Sequence, residues 1–340
     1  MNTAIIASVA GTILTDDEKF VLGQLRPIGV SLFGRNIDNK KQLKSLVKSI
    51  KEIIGDNAII AVDQEGGRVR RLAEPDWRGY ASQYVLGQLP QSVTRLHASL
   101  IAQDLNEVGI NFNYAPVLDI VYPETHEVLK SRCFYSNQAE YGKVMAETYI
   151  KNGICPCVKH MPGHGRATVD PHLGLPIING TDSDLEKDLA PFAANCSLPA
   201  GMTAHIVLSQ IDDLPVTMSK KAIDEVIRKR IGFGGLLISD AIDMHALKGT
   251  IGEKALRSLE AGCDVVCYCG GKIEELRELT GQKLYLQDAA LERLKKVYKI
   301  INGEQVDKPD YDEYLSQIGK IPAYVESYDA TETLNLMQKA

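Results

Sequence analysis

CVKHMPGHGRATVDPHLGLP, residues 157–176, holds three of the chain's seven histidines together with a lysine and an aspartate, set among Pro and Gly. Just ahead of it, Cys155 to Lys159 is short, apolar and β-branched, which reads as a strand. Pro162-Gly163-His164-Gly165 then breaks the chain into a loop, because Pro has no N–H and Gly tolerates positive φ. Lys159 and His160 therefore stand at a strand end, and Asp170 and His172 lie further out in a loop that runs to Pro176. Any one of these polar residues alone could belong to a surface turn; the cluster points to a site.

The same pattern recurs along the chain. Ala4 to Val9 and Gly29 to Phe33 read as strands, and Asn39 to Ile54 as an amphipathic helix with Leu43, Leu46, Val47, Ile50 and Ile54 on one face. Ala58 to Val62 is a strand running into Asp63-Gln64-Glu65-Gly66-Gly67-Arg68. Phe112 to Asp119 reads as a strand ending in a carboxylate, Gly201 to Val207 as a strand carrying His205, Gly235 to Ser239 as one closed by Asp240, and Asp264 to Tyr268 as the last. Helical stretches are expected over 92–108, 138–152, 182–195, 219–230 and 253–260, and Leu284 to Ile301 reads as a closing helix.

Eight strands with intervening helices or loops match a (β/α)8 barrel, a fold of ~250 residues. A doubly wound sheet is the rival, but Glu65-Gly66-Gly67 is no G-x-G-x-x-G phosphate turn. Asp63, Asp119, Lys159, His160, His205 and Asp240 all fall at carboxyl ends of strands, and in a barrel those ends converge on one mouth. The expected organisation is an α/β single domain, a TIM barrel over residues 1–303, with a charged, Tyr-containing C-terminal extension over 304–340.

Composition narrows the partners. At 340 residues, 44% hydrophobic and 24% charged, the chain is ordinary globular material with a net charge of −6 and no basic stripe, which argues against nucleic acid. The N-terminus lacks the basic start and apolar core of a signal peptide, and no run approaches the ~20 apolar residues of a membrane span, so a cytoplasmic location is expected. Seven cysteines without a C-x-x-C pair fit free, buried thiols better than a metal site. A monomer is favoured, and no cofactor or metal is expected.

Three chemistries fit such a mouth. A metal-dependent hydrolase would draw ligands from His160, His164, His172, His205 and Asp240, but the first strands offer no histidine and Lys159 would set a cation beside the metal. A binding protein without catalysis is the second. In the third, a glycoside hydrolase, Asp240 attacks a carbon in the mouth while an ionisable group on the 161–176 loop protonates the leaving oxygen.

The segments Asp63-Gln64-Glu65-Gly66-Gly67-Arg68-Val69, Ala115-Pro116-Val117-Leu118-Asp119, Arg132-x-Phe134, Lys159-His160-x-Pro162-Gly163-His164-Gly165, Asp170-x-His172, Met202-x-x-His205 and Gly235-x-x-x-Ser239-Asp240 resemble, in order and spacing, the glycoside hydrolase family 3 β-N-acetylhexosaminidases of the NagZ type. The resemblance runs from about residue 10 to 270 and is most specific in KHxPGHG followed by DxH. It implies that Asp240 is the nucleophile and that His172, oriented by Asp170, is the general acid/base. It also implies that Asp63, Arg71, Arg132, Lys159 and His160 hold the sugar hydroxyls and acetamido group. The implied substrate is a small carbohydrate, N-acetylglucosaminyl-1,6-anhydro-N-acetylmuramic acid with or without peptide, released in cell-wall recycling. An acetamido-assisted mechanism would instead need two neighbouring acids, for which Asp240 and Asp243 are the candidates. Phosphate in place of water, giving a family 3 phosphorylase, is a further alternative. Structural ion pairing of Asp63 with Arg68 or Arg71 competes with its sugar-binding role, and the roles of Asp119, His164 and His205 stay open. Pro171 stands where the family commonly has Ser, and Cys133 where it commonly has a small polar residue.

Overall fold

A computed structural model describes residues 2–168 and 174–320 of the chain. Eight parallel strands close into a barrel: β1 (Thr3–Ser8), β2 (Pro27–Leu32), β3 (Ile59–Val62), β4 (Phe112–Asn113), β5 (Cys155–Met161), β6 (Ala200–Thr203), β7 (Leu236–Ala241) and β8 (Val265–Cys267). Closure comes from β1 pairing with both neighbours, Ile6 opposite Cys267 on one side and Gly29 on the other. Both faces of these strands are covered, so β2 and β5 are buried at every position and read as continuous apolar runs.

Alternate side chains divide the core. Ile6, Ile59, Ala61, Phe112, Cys157, Ala200, Ile238 and Val265 fill the barrel interior, whereas Ile5, Ala7, Val30, Ile60 and Val62 face the surrounding helices. The helix Asp288–Ile301 sends Ala290, Leu294, Val297 and Ile301 into the same cluster as the strand starts Ala4, Ile28, Cys155 and Leu236. It plugs the amino end of the barrel and leaves the carboxyl end to the site.

Several boundaries differ from the sequence expectation. The stretch Phe112 to Asp119 keeps only two strand residues, because Pro116 has no N–H to donate; the chain rejoins β5 through Leu118, whose N–H donates to Lys159 O at 2.8 Å. The sixth strand stops at Thr203, and Val207–Leu208 pairs instead with Ile177–Ile178 in a ribbon outside the barrel. The closing helix starts at Asp288 rather than at 284, since the Ala4 N–H takes Leu284 O at 2.8 Å and holds that segment extended. A helix at Asp16–Leu25, missed in the sequence, is opened by a Thr15/Glu18 capping box. Beyond residue 303, Tyr311–Ile318 forms a helix against Gln91–Glu107, with Tyr314 fully buried. No described helix is long and apolar enough to cross a membrane.

Candidate active site

The strand ends of the barrel open into a cavity of about 860 Å³, counting space open to solvent. Six of the residues that the family resemblance assigns to catalysis or sugar binding line it, Asp63, Arg71, Arg132, Lys159, His160 and Asp240, together with His164 and Asp243. Asp170 and His172 lie outside the described residues. Phe33, Tyr114, Val128, Leu129, Met202 and Met244 supply an apolar part of the wall.

Local sequence explains how the charged residues converge. Asp63 follows directly on β3, and the loop after it folds back because Gly66 adopts φ +93°, where a Cβ would stand 2.3 Å from Ala81 O. Gln64 staples the returning strand: its amide oxygen accepts the N–H groups of Arg71 and Leu72 at 2.9 and 3.0 Å, and its NH2 donates to Leu72 O at 2.9 Å. Asn113 on β4 in turn holds both backbone groups of Gln64. Arg71 is thereby delivered beside Asp63.

The result is one chain of ion pairs. Arg71 Nη2 lies 3.3 Å from Asp63 Oδ2, and Lys159 Nζ lies 2.7 Å from Asp63 Oδ1 and 2.8 Å from Glu65 Oε1. Arg132 grips Glu65 with two bonds, Nε to Oε2 at 2.9 Å and Nη2 to Oε1 at 2.8 Å. Three cations meet two carboxylates, so the cluster keeps one positive charge in excess. Burial works against every charge here, raising the carboxyls and lowering the lysine, but the partners outweigh it. Asp63 and Glu65 sit below the ordinary carboxylate range and Lys159 above its own, so all are ionised at neutral pH. Ion pairing of Asp63 with Arg71 is thus present in the same cavity wall as the exposed edge of that pair. Arg68 points elsewhere, donating to Val128 O.

Asp240, which lines the same cavity, stands near the carboxyl end of β7. Its N–H donates to Thr203 Oγ1 at 3.2 Å, and its Oδ1 accepts the Ala241 N–H at 2.8 Å. His205 lies beneath, donating from Nε2 to Ala241 O at 2.9 Å while Nδ1 meets Thr217 Oγ1 at 2.8 Å. It braces the end of β7. Asp243, three residues on, also lines the cavity; burial pushes its carboxyl up, and Oδ1 accepts the Cys269 N–H at 2.8 Å.

On β5 the peptides Lys159–His160 and Met161–Pro162 are cis. His160 Nδ1 lies 2.7 Å from Asp119 Oδ2, and the His164 N–H donates to Asp119 Oδ1 at 2.7 Å. The His164 ring is buried, and neither of its nitrogens has a hydrogen-bond partner among the described residues. Burial, with His160 adding to it, drives its pKa down to about 4. Sequence reasoning did not assign a role to Glu65, although a signal was present: Arg71, Arg132 and Lys159 were all placed at one mouth, and ion pairing was considered for Asp63 alone.

The described residues contain no group of three His, Cys, Asp or Glu side chains able to hold a metal ion. All seven cysteines are unbridged.

Comparison with known proteins agrees with this architecture. The family model described as glycosyl hydrolase family 3 N terminal domain matches residues 9–300. A beta-hexosaminidase of Neisseria meningitidis is 36% identical over 292 residues, covering 81% of this chain and 80% of the relative. One of Bordetella avium is 30% identical over 308 residues, covering 86% and 87%. NagZ of Neisseria gonorrhoeae in complex with N-trifluoroacetyl-D-glucosamine superposes with a TM-score of 0.83 at 30% identity, over 94% of this chain and 97% of that one. A family 3 beta-N-acetylglucosaminidase of Paenibacillus gives 0.82 at 26% identity, over 93% of this chain and 66% of the longer protein. With a family-model match across most of its length and relatives at this level of identity, the chain belongs to glycosyl hydrolase family 3, within its NagZ-type branch.

Proposed function

We propose that this chain is a retaining β-N-acetylglucosaminidase that removes terminal, non-reducing N-acetylglucosamine from cytoplasmic fragments of peptidoglycan. The single observation that carries this reading is that Asp240, from β7, opens onto the same cavity as the chain Arg71–Asp63–Lys159–Glu65–Arg132. A carboxylate that shares one cavity with a fixed array of N–H donors is what a glycosyl transfer to the protein requires. The apolar wall of Phe33, Met202 and Met244 offers the complementary surface for an acetyl methyl and a ring face. The gonococcal relative crystallised with an N-acylated glucosamine supports the choice of sugar.

In the proposed reaction Asp240 attacks C1 as the glycosidic C–O bond breaks, forming an ester between its carboxylate and the sugar. His172, oriented by Asp170, gives its proton to the departing oxygen and then takes one from the water that cleaves the ester. A histidine with an ordinary pKa near 6.5 can serve both steps around neutrality without a large shift. The aglycone we propose is 1,6-anhydro-N-acetylmuramic acid with or without its peptide, by extension from the NagZ-type relatives.

The test is a 5-fluoro N-acetylglucosaminide, whose fluorine slows ester hydrolysis. Intact mass should rise by one glycosyl unit, and peptide mapping should put the label on Asp240. A label on another residue, or Asp240→Ala retaining turnover of an aryl N-acetyl-β-glucosaminide, would overturn the proposed mechanism.

A further inference from the structure

Asp119 is fully buried, yet among the described residues it pairs with no Lys or Arg. Its carboxylate instead accepts from three groups of one turn: the His160 backbone N–H at 3.3 Å to each oxygen, the His160 ring at 2.7 Å, and the His164 backbone N–H at 2.7 Å. One anion 41 residues away in sequence thus fixes both ends of the His160–His164 segment and the angle of one imidazole. Burial pushes this carboxyl up, but His160 and the other donors outweigh it and keep it below the usual range. It is therefore an acceptor only, and the proton in the 2.7 Å contact belongs to Nδ1 of the imidazole.

We propose that Asp119 is a positioning residue: it holds the His160 ring proton on Nδ1, so that in the ring's neutral form a bare Nε2 faces the cavity as a hydrogen-bond acceptor. His160 lines the cavity, and its Nε2 makes no hydrogen bond to any described residue. On the Lys159 side the polar wall is rich in donors; the other carboxylates lining the cavity, Asp240 and Asp243, belong to β7 and the loop after it. Arg71, Arg132 and Lys159 present N–H groups, and the two carboxylates among them already take up cations. A sugar hydroxyl both donates and accepts, so a wall of donors alone would leave its hydrogen without a partner. Nε2 beside Lys159 completes the pair: the lysine donates to a hydroxyl oxygen and the imidazole accepts a hydroxyl hydrogen. The choice of a sugar hydroxyl rests on the glycosidase reading; the tautomer does not.

Asp119→Asn separates the two roles of the carboxylate. The amide oxygen can still accept the His164 N–H, but the NH2 then faces His160 Nδ1 and forces that nitrogen to accept. The ring proton moves to Nε2, and an acceptor in the cavity becomes a donor. A comparable inversion is known to disable an imidazole whose geometry is otherwise intact.

The test has two independent arms. In protein carrying ¹⁵N-labelled histidine, long-range ¹H–¹⁵N correlation, with His160 identified by its absence in His160→Gln, should show the proton on Nδ1 in the wild type and on Nε2 in Asp119→Asn. A wild-type ring protonated on Nε2 overturns the proposal, and this arm needs no variant at position 119 to fold. In the second arm, Asp119→Asn should lower kcat/KM on an aryl N-acetyl-β-glucosaminide by roughly 10- to 100-fold, mostly through KM. That gap should shrink for one of the 3-, 4- and 6-deoxy analogues, the one lacking the hydroxyl that meets Nε2. Equal losses on the parent and all three analogues would mark Asp119 as merely structural. If the wild type cleaves none of these sugars, the glycosidase reading fails while the ring spectrum still decides the tautomer.

Discussion

At the residue scale the site depends on buried charges held in a chain of ion pairs that keeps one positive charge in excess. Glu65 is the hub, holding Arg132 by two bonds and Lys159 by one, with 1% of its side chain exposed. Glu65→Gln keeps the shape but leaves a buried guanidinium and ammonium facing a neutral amide whose NH2 repels one of them. Breaking a buried pair from one side costs about 3–5 kcal/mol, so urea unfolding should show a loss of about that size. A loss below about 1 kcal/mol would mean that water reaches the cluster and screens it. This residue also marks a limit of sequence reading. An acid two places after Asp63 was visible, but its partners are set by the reversal at Gly66 and by a loop from residue 132, neither of which a spacing encodes. Asp119 was likewise visible as a carboxylate near a strand end, and only the folded His160–His164 turn reveals what it holds.

At the scale of elements, the signals that survived were those with local physics behind them. The helices expected over 182–195 and 253–260 open on capping boxes at Thr181 and Thr250, whereas the same box at Thr15 opens a helix that was not read from the sequence. The strand ends carrying Lys159, His160 and Asp240 were legible because continuous apolar runs stop abruptly at polar residues. Readings that depended on a neighbour's edge did worse: Gly201 to Val207 reads as one strand, but its last residue finds a partner at Ile177 rather than in the barrel. The helix Tyr311–Ile318 was not foreseen as a packed element, since eight residues with few apolar side chains cannot form a core alone. It packs through Tyr314, whose OH accepts the Ala81 N–H at 2.8 Å and meets His97 Nδ1 at 2.9 Å. Ala81 closes the loop that bears Glu65 and Arg71, with its carbonyl against Gly66. Tyr314→Phe removes the acceptor while keeping the ring, so thermal or urea unfolding should show about 1–2 kcal/mol of destabilisation. An unchanged midpoint would mean that the extension rests on the barrel without bracing that loop.

For the whole molecule, a barrel plugged at its amino end leaves polar groups only one place to meet, and the cost of burying them there shows up as acid sensitivity. His97 and His164 are both buried, and desolvation lowers their pKa values to about 3 and about 4. In the unfolded chain each returns to about 6.5. Between roughly pH 6.5 and 4 the unfolded chain therefore binds protons that the folded one refuses, and stability must fall as pH falls through that window. Each such proton contributes up to about 1.4 kcal/mol per pH unit. Asp104, Asp188 and Asp243 act in the opposite direction, because burial raises their pKa values and the folded state takes up protons first. Their effect enters as pH approaches the carboxylate range, where depressed Asp63, Glu65 and Asp119 again favour higher pH. From about pH 6.5 to 5 the two histidines contribute stability that climbs with pH, and the raised carboxyls act against it wherever they titrate in the folded state. Urea unfolding across that interval should give a free energy that climbs with pH, and His164→Asn should reduce that slope by about 1.4 kcal/mol per pH unit at most while leaving the part due to His97. A variant slope equal to the wild-type one would mean that the His164 ring takes up its proton inside the folded cavity as readily as in water.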